Sequence, residues 1–249
     1  MSAGDGLRAV LWDMDGTLVD SEKLWDISLA DLAHHLGGEL SVAVRATMVG
    51  SSLDRTVELM FDELGLRQES EEMTEAERWL TARTEQLFSR GLPWQPGAPE
   101  ALRLVRASGL RTALVTSTHR PLVELALESI GRENFGVIIC GDEVPATKPA
   151  PDPYLIAADL IGVDPRECLA VEDSPIGVSS AETAGCAVLV VPSEIPVPPG
   201  PARIHRDDLR GLTEAELHDT WRRVRADHRW AAQGVHSSEC HSSATHTGH

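Results

Sequence analysis

Two aspartates separated by one residue follow a short apolar run near the amino terminus. Residues 9–12 read Ala-Val-Leu-Trp, which is typical of a buried strand, and residues 13–17 read Asp-Met-Asp-Gly-Thr. Burying charge is costly unless it is paired or bound to a metal, so Asp13 and Asp15 at a strand end indicate chemistry. In open α/β sheets ligands bind at the carboxyl ends of strands. An ordinary turn is the alternative, since Asp and Gly are common turn formers.

Three hydroxyl residues stand at the end of a second apolar run. Residues 111–115 predict a strand, and Thr116, Ser117 and Thr118 follow it directly. Hydroxyl and backbone N–H groups at a strand-to-helix turn suit the oxygens of a phosphate group. Taken alone, the same three residues also fit an ordinary turn or helix cap.

A lysine and a second pair of acids complete the set of candidate residues. Lys148 lies in the run Thr-Lys-Pro-Ala-Pro-Asp, where two prolines stiffen the loop, and a fixed cation could offset phosphoryl charge. Glu172 and Asp173 follow the predicted strand 168–171. Neighbouring acids repel each other, so this arrangement favours a divalent cation between them and the pair at 13 and 15.

These four segments, in this order, resemble the four motifs of the haloacid-dehalogenase-like hydrolases, a superfamily made up mostly of phosphatases. Asp-Met-Asp-Gly-Thr resembles the first motif, Thr116 matches the hydroxyl of the second, Lys-Pro-Ala-Pro-Asp resembles the third and Val-Glu-Asp-Ser-Pro-x-Gly the fourth. The resemblance covers roughly residues 8–192. It implies an α/β fold, with a doubly wound parallel sheet (Rossmann-like core) and an inserted α-helical cap domain.

The resemblance also implies a mechanism and a role for each residue. The protein is expected to hydrolyse a small-molecule phosphate monoester through an aspartyl-phosphate, with Mg²⁺ as cofactor. The expected catalytic residues are Asp13 as nucleophile, Asp15 as acid and base, Thr116 and Lys148. Thr116, Ser117 and Lys148 are expected to bind the phosphoryl group. The metal ligands would be Asp13, the backbone carbonyl of Asp15 and Asp173, with Glu172 either as a further ligand or as a residue that contacts the ligands.

Substrate choice is expected to depend on the cap. The candidate substrate-binding residues there are Gly50, Ser51 and Arg55, with Trp25 and Ser52 nearby, and His119 and Arg120 of the core are further candidates that could equally be ordinary surface or core residues.

Other functions remain open at this stage. A sugar-phosphate mutase of the β-phosphoglucomutase type would use the same aspartate pair, but that branch carries a histidine and a cap-loop arginine where this chain has Trp25 and Leu53. The dehalogenase branch usually lacks the second aspartate, so Asp15 argues against it. A phosphorelay-like binding module would not need Asp15, Lys148 and a cap together, and intact motifs argue against a catalytically silent interaction protein.

Hydrophobic periodicity divides the chain into the segments that must position these residues. Helices are predicted at about 25–36, 53–64 and 74–89, the last with Thr74 and Glu77 in capping-box spacing, and no strand is predicted in 21–90. From residue 98 helices and strands alternate to the strand 187–191, a proline-rich linker follows, and the last helix is predicted at 213–232. The predicted division is a catalytic core of residues 1–20 and 92–232, a helical cap of 21–91 and a disordered tail of 233–249.

Composition limits the partners and the compartment. The 249-residue chain has a net charge of −17, which argues against a nucleic-acid or anionic-membrane surface as partner. We find no signal peptide and no run of transmembrane length. The four cysteines are scattered without a paired spacing, and Cys140 and Cys168, in apolar strand-like runs, are expected to be buried reduced thiols. The protein is therefore expected to be a cytoplasmic monomer or weak dimer whose partner is a small-molecule phosphate ester.

Overall fold

The strands of the protein form one parallel sheet in a computed structural model that describes residues 6–192 and 195–234, with backbone alone for 227–234. They are β1 (Ala9–Trp12), β2 (Arg111–Val115), β3 (Val137–Ile139), β4 (Cys168–Glu172), β5 (Ala187–Val190) and β6 (Arg203–His205). The order across the sheet is β3-β2-β1-β4-β5-β6, and every neighbouring pair is parallel. Strand β1 therefore lies between β2 and β4, the two strands that end in the other candidate residues.

Nine α-helices are found in the described part of the chain. They are α1 (Glu22–His35), α2 (Val42–Met48), α3 (Leu53–Glu63), α4 (Ser70–Phe88), α5 (Ala98–Ser108), α6 (Arg120–Ile130), α7 (Asp152–Leu160), α8 (Pro175–Ala184) and α9 (Glu214–Gly234).

Helices cover both faces of the sheet because successive strand side chains point to opposite sides. Val10 and Trp12 of β1 pack into a core with α5, α6 and α9. Ala9 and Leu11 of the same strand pack on the other face, with α7 and α8. The predicted fold class, a doubly wound parallel sheet, is confirmed.

Helices α1 to α4 form a helical insertion between β1 and α5. No strand occurs in residues 21–91, all of which the structure describes. The insertion has its own core, in which Leu32, Met60 and Leu80 are fully buried. Its two ends meet where the backbone N–H of Asp20 donates to the carbonyl of Pro93 at 2.8 Å. The division into a core domain and a cap domain at 21–91 stays a prediction.

Several element predictions are wrong in detail. Helix α2 and strand β6 were not predicted, since a seven-residue helix and a three-residue edge strand are too short to show periodicity. Helix α4 begins at Ser70 rather than 74, and the hydroxyl of Thr74 donates to the carbonyl of Ser70 at 2.7 Å inside the helix. Thr74 and Glu77 therefore form no capping box.

The last helix begins as predicted. The hydroxyl of Thr213 accepts from the N–H of Glu216 at 3.2 Å, and the Glu216 carboxylate accepts from the N–H of Thr213 at 2.9 Å, which is a capping box.

The predicted disordered tail lies outside the described residues from 235 onward, with Cys240 and four histidines. Cys140, Cys168 and Cys186 are buried free thiols. Among the described residues, no helix combines the length and hydropathy that a membrane span requires.

The core of the helical insertion can be tested with a matched pair of leucines. Leu80→Ala empties a fully buried site and is expected to lower the free energy of unfolding by about 2–5 kcal/mol. Leu160, at the end of α7, is 61% exposed, and Leu160→Ala is expected to change it by less than about 0.5 kcal/mol. Urea denaturation measures both, and equal losses would contradict the assignment of Leu80 to a packed core.

Candidate active site

The ends of three adjacent strands bring the polar candidates together. The register pairs Trp12, the last residue of β1, with Leu114 of β2 and Val171 of β4. Asp13, Thr116 and Asp173 follow these strands and therefore meet at one edge of the sheet. The backbone N–H of Asp13 still donates to the carbonyl of Val171 at 3.0 Å, so the first aspartate continues the sheet bonding.

Lys148 connects the three strand ends. Its Nζ donates to Asp13 Oδ1 at 2.7 Å, to Glu172 Oε1 at 2.6 Å and to the carbonyl of Val115 at 2.9 Å. The residue is 4% exposed, so these contacts replace its water. The hydroxyl of Tyr154 donates to the same Glu172 oxygen at 2.5 Å. Glu172 is thus an anchor for Lys148, and its role as a metal ligand stays a prediction.

The local sequence around Glu172 explains how a buried glutamate is held there. Ser174 caps α8 by accepting from the N–H of Gly177 at 3.0 Å, and Pro175 occupies the first helical position, where proline is favoured. A Cβ on Gly177 would lie 2.0 Å from Glu172 Oε2, so only glycine leaves room for the carboxylate. The Ser-Pro-x-Gly pattern therefore serves both to start the helix and to admit the acid.

The charges at this edge of the sheet do not balance. One lysine faces four carboxyl groups, those of Asp13, Asp15, Glu172 and Asp173. Burial raises the pKa of Asp13 to about 8, against the opposing effect of Lys148. Burial alone would lower the pKa of Lys148, but the charges of Asp13 and Glu172 outweigh it and raise that pKa. The lysine is held as a cation, and the excess of carboxylates favours a further cation.

Three of the acids could hold that cation. Oxygens of Asp13, Glu172 and Asp173 lie within 4.8 Å of one another and all three residues are buried, and carboxylate oxygens suit Mg²⁺. The hydroxyl of Thr17 donates to Asp173 Oδ1 at 3.2 Å. Gly16 has a φ of 79°, and a Cβ there would lie 2.1 Å from Asp173 Oδ2. Both Gly and Thr of the Asp-Gly-Thr motif thus serve to position Asp173.

Asp15 occupies a different environment from this acidic cluster. Its Oδ1 accepts from the hydroxyl of Ser21 at 2.6 Å and from Trp25 Nε1 at 3.1 Å. Its Oδ2 accepts from the hydroxyls of Thr118 at 2.7 Å and Thr116 at 3.3 Å. Neutral donors from both the sheet edge and α1 hold this carboxylate. The backbone carbonyl of Asp15 as a metal ligand stays a prediction.

A pocket opens between the sheet edge and the helical insertion, with about 710 Å³ of empty volume including space open to solvent. Asp13, Asp15, Thr116, Ser117, Lys148 and Asp173 border it on the sheet side, and α1, α2 and residues 49–51 border it opposite. Gly50 has a φ of 76°, and its carbonyl accepts from the hydroxyl of Ser117 at 3.0 Å. Gly50 and Ser51 therefore lie where the sequence places substrate-binding residues, and their role stays a prediction.

Of the remaining candidates Arg55, Arg120 and His119, only His119 borders the pocket. Arg55 is not among the residues that border the pocket, and its Nη1 lies 2.8 Å from Glu58 on the exposed side of α3. Arg120 likewise lies outside, with its Nη2 2.5 Å from Glu143. His119 borders the pocket. Arg55 therefore does not border this pocket, and its expected role in substrate binding stays a prediction.

Sequence reasoning missed four contacts of the site. Tyr154, the only tyrosine of the chain, holds Glu172, and nothing in the spacing of the two residues pairs them. Thr118, Ser21 and Trp25 hold Asp15. Among these contacts, only that of Thr118 had a signal in the sequence, because its hydroxyl stands two residues after Thr116 at the end of the same strand.

Comparisons with known proteins agree with this geometry. Residues 7–185 match the family described as haloacid dehalogenase-like hydrolase. Hexitol phosphatase B of Escherichia coli (strain K12) is 31% identical over 196 residues, covering 78% of this chain and 87% of that protein. A probable pseudouridine-5'-phosphatase of Drosophila melanogaster is 34% identical over 190 residues, covering 73% and 80%. A β-phosphoglucomutase structure from Clostridium difficile aligns with a TM-score of 0.78 and 17% identity, covering 88% of this chain and 99% of that one.

With its strand-end aspartates, buried lysine and matching family profile, the chain belongs to the haloacid dehalogenase-like hydrolases. The relatives from Escherichia coli and Drosophila melanogaster, at 31% and 34% identity, are named as phosphatases, and the protein is accordingly a phosphoric monoester hydrolase. The match to the β-phosphoglucomutase structure, at 17% identity, shows the fold alone, so the mutase alternative is not favoured.

The buried lysine provides a stability test of the site. Lys148→Met leaves Asp13 and Glu172 without their cation and is expected to lower the free energy of unfolding by about 3–5 kcal/mol. Lys23→Met is the matched control, since its ion pair with Asp20 is largely exposed and is worth at most about 1 kcal/mol. Urea denaturation without Mg²⁺ measures both. Losses of similar size would show that Lys148 does not balance the buried acids.

Proposed function

We propose that the protein is a Mg²⁺-dependent phosphatase that hydrolyses a small-molecule phosphate monoester through an aspartyl-phosphate on Asp13. The observation that carries this proposal is the contact of Lys148 Nζ with Asp13 Oδ1 at 2.7 Å beside a buried acidic cluster. A carboxylate nucleophile, a fixed cation and hard oxygen ligands for a divalent metal then share one edge of the sheet.

Asp13 is the proposed nucleophile. A carboxylate oxygen of Asp13 attacks phosphorus, the ester oxygen leaves, and the phosphoryl group becomes an acyl phosphate. Burial raises the pKa of Asp13, so its ionised form depends on nearby positive charge, of which Lys148 supplies one part. A Mg²⁺ ion held by Asp13 and Asp173, with Glu172 behind them, would supply the other part and shield the attacking and transferred oxygens from each other.

Asp15 is the proposed general acid and base. A protonated Asp15 gives its proton to the leaving oxygen, and the resulting carboxylate then takes a proton from the water that attacks the acyl phosphate. Two aspartates are required because Asp13 is phosphorylated while Asp15 handles protons. The four neutral donors around Asp15 orient its carboxylate toward the pocket without adding charge.

Lys148, the Thr116 hydroxyl and the Ser117 amide are proposed to hold the phosphoryl oxygens, as all three residues border the pocket beside Asp13. Closure of the helical insertion on the sheet edge would exclude water until the ester is bound. A cytoplasmic location and a monomer or weak dimer stay predictions, as does the absence of nucleic-acid and membrane partners.

The nucleophile and the metal are tested together. The purified protein is assayed with and without Mg²⁺ against sugar, polyol, nucleotide and amino-acid phosphates, and released phosphate is measured. We expect release from at least one ester that chelator abolishes, and Asp13→Asn is expected to abolish it because an amide is not a nucleophile.

Asp20→Asn is the control for that assay, since Asp20 lies in the same loop with its carboxylate 2.8 Å from Lys23. It is expected to keep full activity. Phosphate release by Asp13→Asn, or isomerisation of a hexose 1-phosphate without release, would contradict the proposal.

The acid and base is tested by Asp15→Asn. Loss of proton transfer is expected to lower kcat by about 10²–10⁴ with the metal still present. Steady-state kinetics at saturating ester measure the effect, again beside Asp20→Asn. An unchanged kcat would remove Asp15 from the chemical step.

A further inference from the structure

An ion cluster in the helical insertion faces the proposed phosphate site across the pocket. Arg45 of α2 donates from Nε to Asp26 Oδ1 at 2.5 Å and from Nη2 to Glu22 Oε2 at 2.6 Å. Glu22 and Asp26 stand one turn apart on α1, so both reach the same guanidinium. Arg45 and Glu22 border the pocket, whereas Asp26 is not among the residues that border it and its side chain is 44% exposed. The side chains of Arg45 and Glu22 are only 14% and 10% exposed.

This cluster carries more negative than positive charge, since one guanidinium faces two carboxylates. The other basic residues of the pocket wall, among the described residues, also have acidic partners. Lys148 pairs with Asp13 and Glu172, and His119 Nε2 lies 3.8 Å from Asp54 Oδ1. A second anionic group on a substrate would therefore meet no uncompensated cation at this end of the pocket.

We propose that Glu22 and Asp26 neutralise Arg45 and make this end of the pocket a site for an uncharged, polyhydroxylated leaving group, so that esters with a second phosphate or a carboxylate are excluded. The inference rests on the proposed phosphatase function and specifies its substrate class. Glu22 and Arg45 would contact the leaving group, and Asp26 is a positioning residue that acts through Arg45.

Hydroxyl groups fit this wall because they both donate and accept. The guanidinium has five N–H donors and the carboxylate of Glu22 accepts, so a diol can exchange hydrogen bonds with both without adding charge. Leu29, Met48 and Val49 form the apolar part of the same wall, against which the carbon chain of a polyol or sugar can pack.

The test uses two esters that differ in a single group. Glucitol 6-phosphate and gluconate 6-phosphate share a carbon chain and a phosphate, but carbon 1 is a hydroxymethyl group in the first and a carboxylate in the second. The kcat/KM of the native protein is expected to favour the glucitol ester by at least about tenfold, given the excess negative charge of the cluster. Equal values, or a preference for gluconate 6-phosphate, would overturn the inference.

Asp26→Asn identifies the source of the preference. It removes one negative charge beside Arg45 with almost no change in shape. The ratio of the kcat/KM values for glucitol 6-phosphate and gluconate 6-phosphate is expected to fall by about tenfold. Asp31→Asn is the matched control, because Asp31 lies on the same helix, pairs with Arg83 at 2.7 Å and is 42% exposed against 44% for Asp26. A preference that Asp26→Asn leaves unchanged, or that Asp31→Asn reduces equally, would refute the role of the cluster. Glu22→Gln is the second variant and is expected to change the ratio in the same direction.

A measurement of ester binding tests this inference independently of whether the protein hydrolyses the esters. Calorimetry with the Asp13→Asn protein and Mg²⁺ gives the Kd of both esters without turnover. Weaker binding of gluconate 6-phosphate, relieved by adding Asp26→Asn, would support the charge preference even where no ester is hydrolysed. Hydrolysis of the panel with equal Kd values for the two esters would leave the phosphatase standing and overturn the inference.

Discussion

The ammonium group of Lys148 joins the ends of β1, β2 and β4, and the site is arranged around it. It contacts a carboxylate after β1, a carbonyl at the end of β2 and a carboxylate at the end of β4, all without water. A buried ion pair costs desolvation free energy on both sides, so it persists only where further hydrogen bonds complete it. The hydroxyl of Tyr154, which donates to Glu172, and the carbonyl of Val115, which accepts from Lys148, supply these. The remaining excess of carboxylates supports the proposal that this edge holds a divalent cation.

Two aspartates only two residues apart acquire different properties from this arrangement. Asp13 is buried against a cation and other acids, and burial raises its pKa. Asp15 is half-buried among hydroxyl and indole donors that come from the sheet edge and from α1. These different surroundings fit the proposed roles of attack for Asp13 and proton exchange for Asp15, and two identical residue types in a sequence do not reveal them. Trp25 belongs to the surroundings of Asp15, so the helical insertion contacts a residue of the proposed catalytic pair.

The helical insertion and the sheet edge present different charged groups to the pocket. The edge concentrates unbalanced acids and Lys148 where a metal and a phosphoryl group are expected. The insertion presents Arg45, the one arginine on the pocket wall among the described residues, already neutralised by Glu22 and Asp26. A divalent cation held at the sheet edge would draw the phosphoryl end of an ester there, and the opposite wall, which has no uncompensated cation among the described residues, would accept the rest. Arg55, expected from the sequence to face the substrate, pairs with Glu58 outside the pocket.

The sequence by itself determined the parallel α/β fold, the four motifs and the residues Asp13, Asp15, Thr116, Lys148 and Asp173. The fold follows from local signals, namely strand and helix periodicity, and the residues follow from the resemblance of the four segments to the motifs of the family. Short elements such as α2 and β6 lacked enough residues to show a period. Only the tertiary structure decided that Lys148 meets Asp13, 135 residues away, that Tyr154 holds Glu172 and that Asp26 and Glu22 neutralise Arg45. Such partners are chosen by how helices and strands pack, because contacts between distant residues leave no spacing in the sequence to be read.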